Sequence, residues 1–379
     1  MAATTIKEAP IIVTAARRLY FLDNLRAIVI ALVVVLHGSI TYMANAPTWW
    51  YVLDPHNSLA FTLVVLAVDV PIMPIMFFIA GYFALPSLQK RGSRQFLKDK
   101  CLRVGLPWVL GVVFLAPLTT YMIYLSRHVP MGYLQFWASD FWTKLYEQSV
   151  YWFLGILLLL FAGLAWAYES SPRLRAAAPR PSPHAGRALL MFGVLVTAAF
   201  VAVNQAFPID AWSSNYVFVY QPVRVPLYVG YFILGIYAQQ RGWFTAGGFN
   251  PKIRPWLGAA LLSGLYYLAS RMMAPTTPLL GVVTAVLFNT FCLTCLLAGV
   301  ALCQRYLNGT GRFWHSQAAS AYGIYYAHPL ILYPLAYALV AVSLPLAVKA
   351  LVLIVPTLLL AWGVSALVLR RLPILNQMF

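Results

Sequence analysis

The sequence is poor in charge. Only 9% of its 379 residues are Asp, Glu, Lys or Arg, where ordinary soluble domains carry roughly a quarter. With 62% hydrophobic residues spread in long runs from end to end, this excludes a soluble enzyme held by one anchor and indicates a polytopic membrane protein. The apolar runs do not alternate polar with apolar, which excludes a transmembrane barrel and leaves a bundle of helices, all-α throughout. Cysteine is scarce as well. Cys292 and Cys295 have CxxC spacing but stand in an apolar helix with no acid or histidine beside them, so they and Cys101 and Cys303 read as small hydrophobes and no metal site is expected. No internal repeat is visible. Met1 to Thr14 lacks the short apolar core and small-residue site of a removable leader, so the first helix is the expected insertion signal.

Ten spans are expected, at about 20–44, 58–86, 104–125, 147–168, 187–206, 222–239, 255–272, 280–303, 317–341 and 348–368, forming a single domain over 1–379. Residues 1–19 would be a cytoplasmic tail, and the Pro- and Arg-rich segment 169–186 a flexible cytoplasmic loop where His184 is simply solvated. If the chain starts inside and the spans alternate, only Arg127, Lys144, Arg224, Arg271 and Lys349 of the 26 Lys and Arg fall outside. That is the asymmetry of the positive-inside rule. It puts both termini in the cytoplasm and accounts for the net charge of +17 without nucleic acid.

The first apolar helix, "FLDNLRAIVIALVVVLH", concentrates the chemistry. Arg26 and His37 are eleven residues apart, about three full turns, so they share a face. His37 then lies roughly 16 Å beyond Arg26, near the middle of a bilayer. An ionisable group at that depth reads as functional, the alternative being a buried histidine that bonds a neighbouring helix. In the second span Asp69 falls at a similar depth and is expected to orient the His37 ring as the acid behind a general base, or to form a purely structural pair with it. A basic loop from Gln89 to Arg103 holds Lys98, Lys100 and Arg103, positioned either to grip phosphates or only to mark the cytoplasmic side. The ninth span carries a polar stripe of Ser320, Tyr322, Tyr325 and His328, suggesting a lined cavity. Trp49, Trp50 and Tyr51 are expected at a membrane interface.

These residues together resemble the acyltransferase type 3 family of membrane acyltransferases. Arg26 and His37 match its Arg, ten residues, His pattern, and Lys100 and Arg103 its basic motif before the third helix, with Lys in place of the first Arg. "YWFL" from Tyr151 and "SAYGIYYAH" from Ser320 are similar to two further family segments, and "LDNLRA" and "RGWF" lean toward its glucan-modifying, succinyl-transferring branch. The resemblance implies an O-acyltransferase of the bacterial inner membrane. An acetyl or succinyl group would pass from cytosolic acyl-CoA, a substrate rather than a resident cofactor, to a hydroxyl of a cell-envelope carbohydrate. His37 would be the base and Asp69 its partner. Arg26, Lys100 and Arg103, with Ser320, Tyr322, Tyr325 and His328, would form the donor site. The outer loops 45–57, 126–146 and 207–221, rich in aromatics, suit either sugar stacking or the membrane interface. A succinyl carboxylate would call for a cation such as Arg224 or Arg271. Two rival readings follow from the residues alone: a proton-coupled transporter built on mid-membrane His and Asp, which the missing repeat disfavours, and a polysaccharide flippase.

Overall fold

The computed structural model describes residues 19–273, 277–373 and 375–378. Apart from Leu19, the expected N-terminal tail lies outside the described residues. Ten long helices dominate: α1 (Tyr20–Ile40), α2 (Leu59–Arg91), α3 (Ser93–Ser126), α4 (Ser149–Ser170), α5 (Gly186–Asn204), α6 (Val225–Gln240), α7 (Ile253–Met272), α8 (Pro278–Tyr306), α9 (Arg312–Val340) and α10 (Leu346–Leu369). Among the described residues, eight of them are long and apolar enough to cross a bilayer. The other two are α6 and α7. At 16 residues, α6 spans about 24 Å, short of a hydrocarbon core of roughly 30 Å. The apolar run of α7 is diluted by Arg254, Ser263, Ser270 and Arg271.

α1 is the hub, packing against α2, α8, α9 and α10. Leu22, Leu25, Val29, Val33, Val34 and Leu36 are buried, Leu22 and Val34 completely. The rim helices do the reverse. Leu190, Met191, Val194 and Leu195 of α5, and Leu261, Leu262, Leu265 and Tyr266 of α7, form exposed stripes at helical spacing, as lipid-facing surfaces do. α2 and α6 cross at two glycines: a Cβ on Gly81 would sit 2.0 Å from the carbonyl oxygen of Phe232, and one on Gly235 2.1 Å from that of Phe78. No other residue permits so close an approach of two backbones.

The region expected as a basic loop, Gln89 to Arg103, is helical instead. α2 runs on to Arg91, Gly92 breaks the chain at φ 73°, and α3 starts at once with Ser93. Glycine takes that backbone conformation freely, so two helices abut without a loop. α3 contains two π-helical turns, Cys101–Gly105 and Gly111–Leu115, each running into a proline two residues later, Pro107 and Pro117. A proline has no N–H, so the carbonyl four residues before it loses its helical donor. Side chains of other elements take up both freed carbonyls. Tyr322 donates its hydroxyl to Arg103 O (3.0 Å) and Trp137 its indole N–H to Val113 O (3.1 Å). Of the segment 169–186, residues 171–185 between α4 and α5 are irregular apart from the turn Pro172–Arg175 and lie against the ends of α2 and α6, where Gln89 Nε2 donates to Ala177 O (2.8 Å) and the Arg180 N–H to Gln240 O (2.7 Å).

Away from the cluster of basic residues, the loops 41–58, 127–148 and 205–224 fold over the helix ends. They include the short helices Tyr133–Ala138 and Asp140–Thr143 and a two-residue hairpin, β1 (Ser213–Ser214) paired antiparallel with β2 (Val219–Tyr220).

Candidate active site

α1 and α9 run side by side, and Arg26 and His37 of α1 both face α9. Arg26 donates to the carbonyl of Ala318 (3.2 Å) as well as pairing with Asp23 (3.4 Å). Eleven residues on, His37 Nδ1 lies 3.1 Å from His328 Nε2. The shared face read from the spacing is therefore present. The ring centroids are 5.2 Å apart with planes 26° apart, the arrangement of two imidazoles meeting edge to edge. The indole of Trp50 covers His37 from the loop side, its centroid 5.7 Å away and its plane tilted by 11°.

The expected partnership of His37 with Asp69 is not the one formed. The Asp69 carboxylate is held by the Arg224 guanidinium, which also reaches the Asp69 carbonyl (3.4 Å). Arg224 in turn lies 3.9 Å from Asp210, and Asp210 pairs with Arg271 at 2.7 Å. His37 and Asp69 do line one cavity. But a permanently charged planar fork outcompetes a neutral ring for a half-buried carboxylate. Arg224 enters from the start of α6, 155 residues along the chain, where no local pattern announces it. Arg224 and Arg271, the cations considered for a succinyl carboxylate, are thus both occupied by acids.

Two cavities meet at His37. One, of about 420 Å³, is lined by His37, Asp69, Arg224, Tyr228, Arg271 and Tyr325 among others. The second, of about 540 Å³, is lined by His37, Trp49, Tyr146, Glu147, Trp212 and Tyr333 among others. Trp49, Trp50 and Trp212 of the loops, with Trp152 of α4, belong to both, so the aromatic residues of these loops surround a chamber rather than only marking an interface. Glu147, which no motif singles out, is half-buried in the second cavity and accepts a hydrogen bond from the Thr120 hydroxyl (2.7 Å). Burial pushes its carboxyl up to about 6, against the pull of hydrogen bonds from Thr120 and Tyr51. Its signal in the sequence was only an acid just ahead of "YWFL".

The remaining expected site residues divide between two places. His328 and Tyr325 stand beside His37. His328 is fully buried behind it, and the Tyr325 hydroxyl donates to the carbonyl of Val150. Arg103 and Tyr322 are joined as described. Lys100 lies with Nζ 4.1 Å from the ring centroid of Phe161, a cation–π contact. Ser320 is sealed in the interior, its carbonyl accepting from the Ser365 hydroxyl (3.0 Å), so it lines neither cavity. Among the described residues no cluster of His, Cys, Asp or Glu is arranged to hold a metal.

A histidine at the junction of two cavities, with the Arg26 guanidinium on the same helix face, is an arrangement suited to group transfer between two substrates. Comparison with known proteins bears on the same point. Residues 19–366 match the family model described as "Acyltransferase domain". Among curated proteins, the chain is similar to "Glucans biosynthesis protein C" of Salmonella typhimurium and of Salmonella typhi, each 26% identical over 279 residues, covering 68% of this chain and 67% of the relative. The protein of the same name from Salmonella gallinarum is 26% identical over 277 residues, with the same coverage. No solved structure matches. With nearly all of its helical bundle matched, the chain belongs to the acyltransferase type 3 family and is a membrane acyltransferase.

Proposed function

We propose that this protein moves an acyl group from a CoA thioester, taken from the cytosol, to a hydroxyl of a cell-envelope carbohydrate, a glucan being the acceptor class suggested by the names of its relatives. The observation that carries the reading is the position of His37, on the Arg26 face of α1 and at the meeting point of two cavities. Arg26, Lys100 and Arg103 would bind the phosphates of the donor by charge-assisted hydrogen bonds. The acceptor would enter through the aromatic chamber, where ring faces stack on sugars and Glu147 accepts hydrogen bonds from their hydroxyls. The ten helices, including the short α6 and the polar α7, would all span a bacterial inner membrane, with both termini and the basic end in the cytoplasm.

The chemistry then runs in one direction. The imidazole of His37 takes the hydroxyl proton as the oxygen attacks the thioester carbonyl. The C–O bond forms, the C–S bond breaks, and the departing CoA thiolate recovers the proton from His37. An ester and free CoA result. Asp69 acts on this chemistry only at a distance, by fixing Arg224 and the wall of the first cavity.

The test is His37→Ala in purified protein, its folding confirmed by an unchanged thermal transition. Acceptor-dependent release of CoA is expected to fall at least ~10²-fold, the lower range for loss of a general base. Activity within a few-fold of the parent would overturn the assignment. Solute uptake into vesicles without thioester consumption would favour a transporter.

A further inference from the structure

The two histidines can be assigned their protons from geometry alone. His328 Nδ1 lies 2.8 Å from the backbone carbonyl of Tyr325. A carbonyl oxygen only accepts, so Nδ1 of His328 carries hydrogen. That carbonyl is available because of the next residue in the chain. Residue 329 is proline, which has no N–H, and Tyr325 is the residue whose carbonyl a helical N–H at 329 would have engaged. The same effect frees Arg103 O before Pro107 and Val113 O before Pro117. The sequence Tyr325…His328-Pro329 thus creates an acceptor within its own helix and fills it with its own imidazole.

The rest follows by exclusion. His328 is neutral, being completely buried with no acid bonded to either ring among the described residues, Asp69 being taken by Arg224, and His37 has to be neutral to act as a base. An imidazolium enclosed in apolar surroundings without a counter-charge is strongly disfavoured. A neutral His328 with hydrogen on Nδ1 presents a bare Nε2. The 3.1 Å contact from that nitrogen to His37 Nδ1 is a hydrogen bond only if His37 Nδ1 donates. His37 is then left with its proton on Nδ1 and a lone pair on Nε2. The ring is held in this pose by His328 on one edge and Trp50 over its face.

We infer that His328 is the positioning residue that fixes the tautomer of His37, so that Nε2 of His37 is the atom that accepts the acceptor's proton. It takes the place that a carboxylate commonly holds behind a catalytic histidine. The difference has a chemical consequence. A neutral imidazole orients the base without a negative charge to stabilise the imidazolium that forms when the proton is taken, so His37 gains orientation but little added basicity from its partner.

This inference rests on His37 being the base, and the experiment separates the two. Nitrogen-15 NMR of histidine-labelled protein, with His37→Ala and His328→Gln used to assign the signals, reads the tautomers directly whether or not the enzyme turns over. His37 is expected with hydrogen on Nδ1 and none on Nε2, and His328 with hydrogen on Nδ1. Hydrogen on Nε2 of His37 would overturn the inference. In kinetics, His328→Phe keeps a ring but no acceptor, and kcat should fall ~10²-fold with the acceptor KM changed by less than ~3-fold, the signature of a lost transition-state interaction. His328→Gln can offer its amide oxygen where Nε2 stood and should recover most of that loss. A His328→Phe variant as fast as the parent, or a His328→Gln variant as slow as His328→Phe while still cooperatively folded, would remove the positioning role. If His37→Ala is fully active, the proposed function fails instead, and the tautomer measurement still stands or falls by itself.

Discussion

The two ends of the helix bundle treat positive charge differently. At the end away from the basic residues, each of the five cations has a fixed partner. Lys349 bonds Asp54 at 2.7 Å, Lys144 bonds Asp140 at 3.0 Å, Arg271 bonds Asp210 at 2.7 Å, Arg224 bonds Asp69, and Arg127 donates to the carbonyls of Thr48 and Trp50. These bonds fasten the loops that roof His37: Arg127 and Lys349 both grip the segment from Thr48 to Asp54, which carries Trp50. At the basic end cations outnumber acids, and among the described residues the ion pairs Arg26–Asp23, Arg91–Asp99 and Arg175–Glu169 leave Lys98, Lys100 and Arg103 outside any salt bridge. Charge builds architecture at one end, and at the other, on the proposed function, it serves the phosphates of the donor.

The largest expected effect is at the most enclosed pair. Lys349 is 2% exposed and Asp54 5%, so Lys349→Met would strand a buried carboxylate. A loss of about 3–5 kcal/mol is expected, read as a lowered thermal transition in detergent. The double variant Lys349→Met with Asp54→Leu should regain most of it. An unchanged transition in the single variant would break the comparison at its firmest point.

Glu147 sharpens it next, as the acid of that end without a salt bridge among the described residues. Its carboxyl is raised from 4.5 to about 6 by burial, so the folded state holds the proton more tightly than the unfolded one. The stabilisation is complete below about pH 4.5 and is lost as pH rises through about 6. In Glu147→Gln the difference from the parent should therefore grow in the variant's favour across that window. Melting curves of both proteins at pH 4 to 7, roughly the window concerned, check the sign; parallel curves would show that the carboxyl is unperturbed.

The smallest expected change in stability is at the basic end. Lys100→Gln combined with Arg103→Gln should shift stability by no more than ~0.5 kcal/mol, yet raise the KM for an acyl-CoA donor ~10-fold, about 1.4 kcal/mol of lost binding. Steady-state kinetics beside a thermal scan measures both. A large loss of stability with an unchanged KM would make these cations architectural too.

What could be read beforehand follows the range of the interaction. The Arg26–His37 face depends on one helix period, and the structure places both residues against α9. The aromatic loops were legible as composition, but not as the walls of a chamber. Asp69 lines the same cavity as His37 but has another partner, because the competing guanidinium arrives from a distant segment. His328 was singled out within its motif but grouped with the donor site. Its position behind His37 was partly encoded in the proline that follows it, which opens the Tyr325 carbonyl. Gly92 was likewise a visible sign that the basic segment is a sharp break between helices and not a loop.

One feature of the bundle limits how the molecule can move. Where Gly81 of α2 meets Gly235 of α6, backbone touches backbone with no side chain between. Such a joint has nothing to slide on: neither helix can rotate or shift along the other without driving carbonyl into Cα. α2 and α6 must therefore travel as a single girder, carrying the Asp69–Arg224 wall with them.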